Sequence, residues 1–192
     1  MTAYPFEPEA PSRKKDVPAT PGRLWKRIPL DRRTEAAAAF WEDEEGAEQQ
    51  AEALLAIASH FKLRLKTARS LPRVRKVRYL ASLPGLSDAV AGRVLVSYHL
   101  RHRRPMLASF LDALGIAHDN GVLSGDDLTA PDAARLQEAA AKLRAEHPKE
   151  DVDLYFQTLL VQDPDTWGGL APLLEEGVEP DHTEGGAEGQ PA

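Results

Sequence analysis

Along the middle of the chain, apolar residues recur at spacings of three and four, the period of a helix with one buried face. In residues 47–69 the set Ala47, Ala51, Leu54, Leu55, Ala58, Phe61 and Leu65 forms one such stripe. Ser70 and Pro72 open the next helix, with Val74, Val77 and Leu80 facing inward. Later stripes are Leu107, Phe110, Leu111 and Leu114; then Leu136, Ala140 and Leu143; then Val152, Tyr155, Phe156, Leu159 and Leu160. Between Ser87 and Pro105, Ala91, Val94, Leu95 and Tyr98 align, with Val90 and Val96 beside them. A helix apolar on most sides belongs at the centre of a fold. A shorter face, Ala37, Ala38 and Trp41, follows Asp31, which reads as an N-cap with Leu30 as its staple. One stretch conflicts: Phe61, Leu63 and Leu65 alternate with Lys62, Arg64 and Lys66 in strand period, and the preceding turns favour continuing the helix to 69.

Stop signals separate these stripes. Leu83-Pro84-Gly85 ends one helix, Gly115 followed by Ile116 ends another, and Asp163-Pro164 closes a third. Asn120-Gly121 marks a tight turn inside the longest loop, 117–130. Thr129 to Asp132, with Pro131 between, reads as a capping box opening the helix after it. No repeat of fixed period is present. The prediction is an all-α fold, an irregular bundle of about seven or eight helices in one domain over 23–175. Residues 1–22 hold five prolines among polar neighbours, and residues 176–192 are acidic and rich in glycine. Neither has the apolar surface to offset ordering, so both are expected to be disordered tails.

Charge changes the picture more than composition does. The formal net charge of −6 equals the six acids of residues 175–192, a stretch without Lys or Arg. Residues 13–33 carry eight basic residues and two acids, residues 53–111 carry twelve basic residues and one acid, and residues 112–174 carry twelve acids and four basic residues. Two arrangements satisfy this pattern. The blocks fold against each other and cancel, or the basic block stays apart as a positive face. Arginine outnumbers lysine 16 to 8 and Asn120 is the single asparagine, a balance that a GC-rich bacterial genome would produce by itself.

The absence of cysteine excludes disulfides, thiol catalysis and thiolate metal sites, and fits a reducing compartment. The N-terminus has no apolar core of a signal peptide, and nowhere do about 18 apolar residues run together. A cytoplasmic protein without membrane contact is expected. No phosphate loop, dinucleotide fingerprint, nucleophile elbow or HExxH is found, so no catalytic residue and no cofactor is nominated. His99 and His102 share a helix face but lack a third ligand, and read as a basic, partly exposed helix end. The loop His118 to Asp127 is acidic but lacks the ligand spacing of a calcium loop. Trp25, Trp41, Phe110, Tyr155 and Phe156 read as core.

The most specific local pattern is Leu80 to Leu95, with Leu83-Pro84-Gly85-Leu86-Ser87 at its turn. It resembles the helix-hairpin-helix motif of DNA-binding and repair proteins over 16 residues, matching at Gly85, Leu86, Ala91 and Leu95 and carrying Ser87 where the family has its second glycine. The resemblance implies that backbone N–H groups opening the second helix face a phosphate. Two expectations follow. The first is an interaction protein, an adaptor or regulator that works by contact with another protein and not by catalysis. The alternative is binding of DNA or RNA through the basic segment 62–104 with its hairpin at 80–95. The candidate anion-binding residues are Lys66, Arg69, Arg73, Lys76, Arg78, Gly85, Ser87 and Arg93.

Overall fold

The computed structural model describes residues 20–125 and 128–175. Residues 1–19 and 176–192, which hold most of both expected tails, lie outside the described residues, as do Asp126 and Asp127. Within the described residues the fold is all-α. Seven helices have ten or more residues: α2 (Leu30–Phe40), α3 (Ala47–His60), α5 (Arg73–Ser82), α6 (Asp88–His102), α7 (Arg104–Leu114), α8 (Ala133–Glu146) and α9 (Lys149–Gln162). Four shorter ones join them: α1 (Pro21–Arg27), α4 (Leu65–Arg69), α10 (Pro164–Trp167) and α11 (Ala171–Glu175). Two 3-10 turns, Glu44–Gly46 and Gly168–Leu170, complete the helical set. A two-residue antiparallel pair, β1 (His118–Asp119) with β2 (Val122–Leu123), brackets Asn120-Gly121. Both turn residues have positive φ, 47° and 84°, the conformation that a two-residue hairpin requires.

The core has two parts. One gathers Leu24, Trp25, Phe40, Ile57, Leu80, Val94, Leu95 and Tyr98 from α1 to α6. The other gathers Met106, Phe110, Leu114, Leu136, Leu143, Tyr155, Phe156 and Trp167 from α7 to α10. Helix α6 is central, as its pattern predicts: Val90, Ala91, Val94, Leu95 and Tyr98 are all buried. Helix α9 joins the parts, giving Leu154 to the first and Val152, Tyr155, Phe156 and Leu160 to the second.

Several boundaries move for identifiable reasons. The first helix starts at Pro21, so residues 20–22 belong to the fold and not to the N-terminal tail: Thr20 caps it, and the Gly22 N–H donates to Asp88 Oδ1 at 2.9 Å. Pro29, not Asp31, occupies the N-cap position of α2, and Asp31 lies in the first turn, where a negative charge suits the helix dipole. Asp132 alone caps α8 by accepting from the Arg135 N–H, which replaces the capping box expected from Thr129. The single helix expected over 47–69 is two. Lys62 takes φ of 54°, and the Leu63 N–H reaches back to the Ala58 carbonyl, so α3 closes in a left-handed cap built on a lysine. Phe61 and Leu63 then pack on the first core from outside any helix, which accounts for their strand-like alternation. The buried face of α3 is Ala53, Ile57 and Ala58, while Ala47 and Ala51 are exposed and Leu55 is 54% exposed. Val74 is 80% exposed in the first turn of α5, which packs through Val77, Leu80 and Ala81.

Candidate nucleic-acid interface

Helices α4 and α5 fold from residues that contain no acid. From Ala53 to Ser87 the sequence has eight cations and neither Asp nor Glu. What anchors this stretch is apolar. Ala68 of α4 is fully buried, Leu80 and Ala81 of α5 are buried, and the rings of Phe61 and Tyr79 stack at 4.4 Å between centroids. Most of the basic positions turn outward, beside exposed Thr67, Ser70 and Val74. Lys62, Arg64, Lys66 and Arg69 are exposed around α4, and Arg73, Arg75 and Arg78 are exposed on α5.

Among the described residues, the main packing partners of this face come from the N-terminal half. Helix α4 packs on α3, and α5 packs on α2 and α3. The acids that answer the basic half lie elsewhere. Glu42 takes Arg73 at 2.7 Å and Arg101 at 3.3 Å. Asp151, buried at the start of α9, lies between Arg32 and Arg103. Lys76 is half-buried with its Nζ 5.7 Å from the Trp41 ring centroid. Lys62, Arg64, Lys66, Arg69, Arg75 and Arg78 therefore form a set of six exposed cations with no ion pair among the described residues. The Arg78 guanidinium rests over its neighbour Tyr79 at 5.9 Å.

The eight residues expected from the sequence separate into two groups. Lys66, Arg69, Arg73, Lys76 and Arg78 lie together on α4 and α5. Gly85, Ser87 and Arg93 lie on the hairpin and on α6, where the structure gives them packing work. Ser87 is the N-cap of α6, accepting from the Val90 N–H at 3.2 Å. A Cβ at Gly85 would stand 3.0 Å from Lys26 Cε, because α1 lies across the turn. The same packing leaves no room at Gly22, where a Cβ would come within 2.8 Å of the Leu86 carbonyl oxygen.

Asp88 opens α6 and accepts from Gly22. That hydrogen bond, with one from Thr20, holds its carboxyl below the ordinary carboxylate range. The N–H groups that a helix-hairpin-helix would aim at a phosphate thus stand beside a carboxylate and under α1, an arrangement opposed to anion binding. Arg93 forks onto Asp43, with Nε at 2.6 Å from Oδ2 and Nη2 at 2.7 Å from Oδ1, and reaches Glu45 at 3.2 Å. Burial alone would raise the Asp43 carboxyl, and hydrogen bonds from Arg93 and Ser97 bring it below its ordinary value. Arg93 is thereby committed to tying the 43–45 turn to α6.

Three features were not nominated from the sequence. Lys62, Arg64 and Arg75 belong to the same exposed set, and the acid-free run itself is the signal that points to them. Glu42, the counter-ion that selects Arg73 and Arg101, carries no local mark. His99 is not part of an exposed helix end. It is fully buried, its Nε2 lies 3.0 Å from Thr158 Oγ1, and burial, aided by Arg103, lowers its pKa to about 3. Its neighbour in the motif, His102, is exposed.

Among the described residues no group of three or more His, Asp or Glu is placed to hold a metal ion. No described helix is long and apolar enough to cross a membrane. What the described residues define is an all-α fold with exposed cations on and beside α4 and α5. Comparison of the chain with protein-family models, with curated proteins and with solved structures gives no match.

Proposed function

We propose that this chain works by contact and that its partner is nucleic acid, held by the phosphate backbone against α4 and α5. One observation carries the reading: six exposed cations, Lys62, Arg64, Lys66, Arg69, Arg75 and Arg78, stand in an acid-free stretch with no ion pair among the described residues. Phosphate contacts give affinity and register, while base contacts give sequence preference. The proposed contact is of the first kind, so little sequence preference is expected.

The test is a titration of duplex DNA and of single-stranded RNA with the full chain over a range of salt concentrations. Six neutralised phosphates give a log–log salt slope of roughly −5 on duplex and roughly −4 on a single strand. Replacing Lys66, Arg69, Arg75 and Arg78 together by Ala should reduce that slope by roughly 4 on duplex. Absence of binding to either nucleic acid at low salt overturns the proposal. The six acids of residues 175–192 compete for the same cations, so removing that stretch should raise affinity at low salt.

A second reading, an adaptor or regulator that docks an acidic protein, is favoured by Val74. It stands 80% exposed between Arg73 and Arg75, an apolar centre within a charged rim. Val74→Ser separates the two: binding governed by phosphates is unchanged, and binding to a protein partner weakens.

A further inference from the structure

Away from the basic face, a cavity of about 510 Å³ lies between α6, α7 and α9, with the β1–β2 hairpin at its mouth. That size is in the range of small-molecule sites. Its walls include Val96, Leu107, Leu111, Leu159 and Trp167. The hairpin is held in place: its Gly121 lies so close to α7 that a Cβ there would be 2.9 Å from Leu107 Cβ, and its His118 ring accepts from the Gly121 N–H and pairs with Asp112. Val122 and Leu123, both near 40% exposed, turn apolar surface to the opening.

Among the polar side chains lining this apolar space, Tyr155 makes no hydrogen bond within the described residues, while His99 Nδ1 is sealed beneath the surface without a partner. The Thr158 hydroxyl has one proton, and it donates that proton to the Leu154 carbonyl at 2.8 Å. The 3.0 Å contact between Thr158 Oγ1 and His99 must then be a donation from His99 Nε2–H. The ring is neutral, so Nδ1 is a bare acceptor, and it has no partner among the described residues. The Tyr155 ring meets His99 edge to face at 5.4 Å. Burial is the one influence acting on the Tyr155 phenol, which raises its pKa and keeps it protonated as a donor. An unmade hydrogen bond on a buried group is costly, so such groups call for a partner.

We propose that this cavity is a binding site for an uncharged, mainly apolar small molecule carrying a hydroxyl group, with the Tyr155 phenol as its polar anchor. A ligand hydroxyl oxygen accepts from the Tyr155 phenol, which no purely apolar molecule does. An anion finds no cation in the lining, where Asp163 is the charged residue among those described.

The experiment uses 4-phenylphenol, biphenyl and biphenyl-4-carboxylate as probes, titrated into the full chain and followed by calorimetry and by tryptophan fluorescence. The expected result is saturable binding of one 4-phenylphenol per chain, with biphenyl and the carboxylate each at least about fivefold weaker. Leu159→Trp fills the cavity and should abolish binding. Tyr155→Phe removes only the hydroxyl, so it should leave stability unchanged or raised while weakening 4-phenylphenol by about fivefold. If Leu159→Trp fails to fold, Tyr155→Phe decides the matter. Absence of saturable binding to the wild-type chain, equal or tighter binding of the carboxylate, or unchanged affinity in Tyr155→Phe overturns the proposal.

Discussion

In the half built by α1 to α6, alanines surround a few large anchors. Ala36, Ala37, Ala53, Ala81 and Ala91 are essentially without exposure around Trp25, Phe40 and Tyr98. In the half built by α7 to α11, Phe110 lies within ring contact of Tyr155, Phe156 and Trp167, at 5.6, 5.2 and 6.0 Å between centroids. Methyl side chains let α2 approach α5 and α6 closely, with Phe40, Leu80, Leu95 and Tyr98 filling the rest of that interior. The cavity beside Tyr155 and Trp167 lies against this aromatic cluster. The charges follow the same division. The alanine-packed half carries most of its cations outward, and His99 of α6 is buried with Thr158 and Asp151 of α9 along the seam between the two.

The comparison can be broken most forcefully through the aromatic cluster. Phe156→Ala removes a fully buried ring and should cost about 4 kcal/mol, measured by urea unfolding. Next comes the seam. Asp151 holds Arg32 of α2 and Arg103 together, and Asp151→Ala leaves two guanidiniums partly buried without a counter-charge. The Arg side chains keep 25% and 30% exposure, which moderates the loss to about 2–3 kcal/mol.

Adding volume sharpens the contrast. Ala37→Leu in the tightly closed half should cost about 2 kcal/mol, whereas Leu159→Phe, which grows into the cavity, should cost less than about 0.5 kcal/mol. Equal costs would show that the two interiors are packed alike.

A further test is read against pH. His99 has a pKa of about 3 in the fold against 6.5 ordinarily. Between those values the unfolded chain binds a proton that the folded chain does not. Stability from this group is therefore complete above about pH 6.5 and falls as pH drops toward 3, by at most about 1.4 kcal/mol per unit. His99→Gln should flatten that part of the stability curve in unfolding experiments at pH 7 and 5.

Much of this fold was legible because local signals agreed. Ser87 caps α6, Gly115 ends α7 with φ of 67°, and the stripes of α6, α7 and α8 are the buried ones. The misreadings have particular causes. A lysine at 62 in a left-handed cap carries none of the glycine signature that marks such a stop. Val74 has the right spacing but lies in the first turn of α5, where it gains no partner helix. Candidate-site residues divided on the same principle. Lys66, Arg69, Arg73, Lys76 and Arg78 share one short segment, but Arg73 is drawn to Glu42 and Lys76 to Trp41 while Arg78 rests on Tyr79. Gly85, Ser87 and Arg93 took their roles from α1 and from Asp43, which no local pattern reveals. His99 and Thr158 are 59 residues apart, and neither suggests the other.

The methyl-lined interior has one more implication. Where α2, α5 and α6 touch through alanines, no side chain is left that can swing aside to make room. Inherited change in that half is then confined to its outer positions. Those include the arginines and lysines of α4 and α5 together with Leu55 and Val74, so the exposed surface can vary while the scaffold beneath it stays as it is.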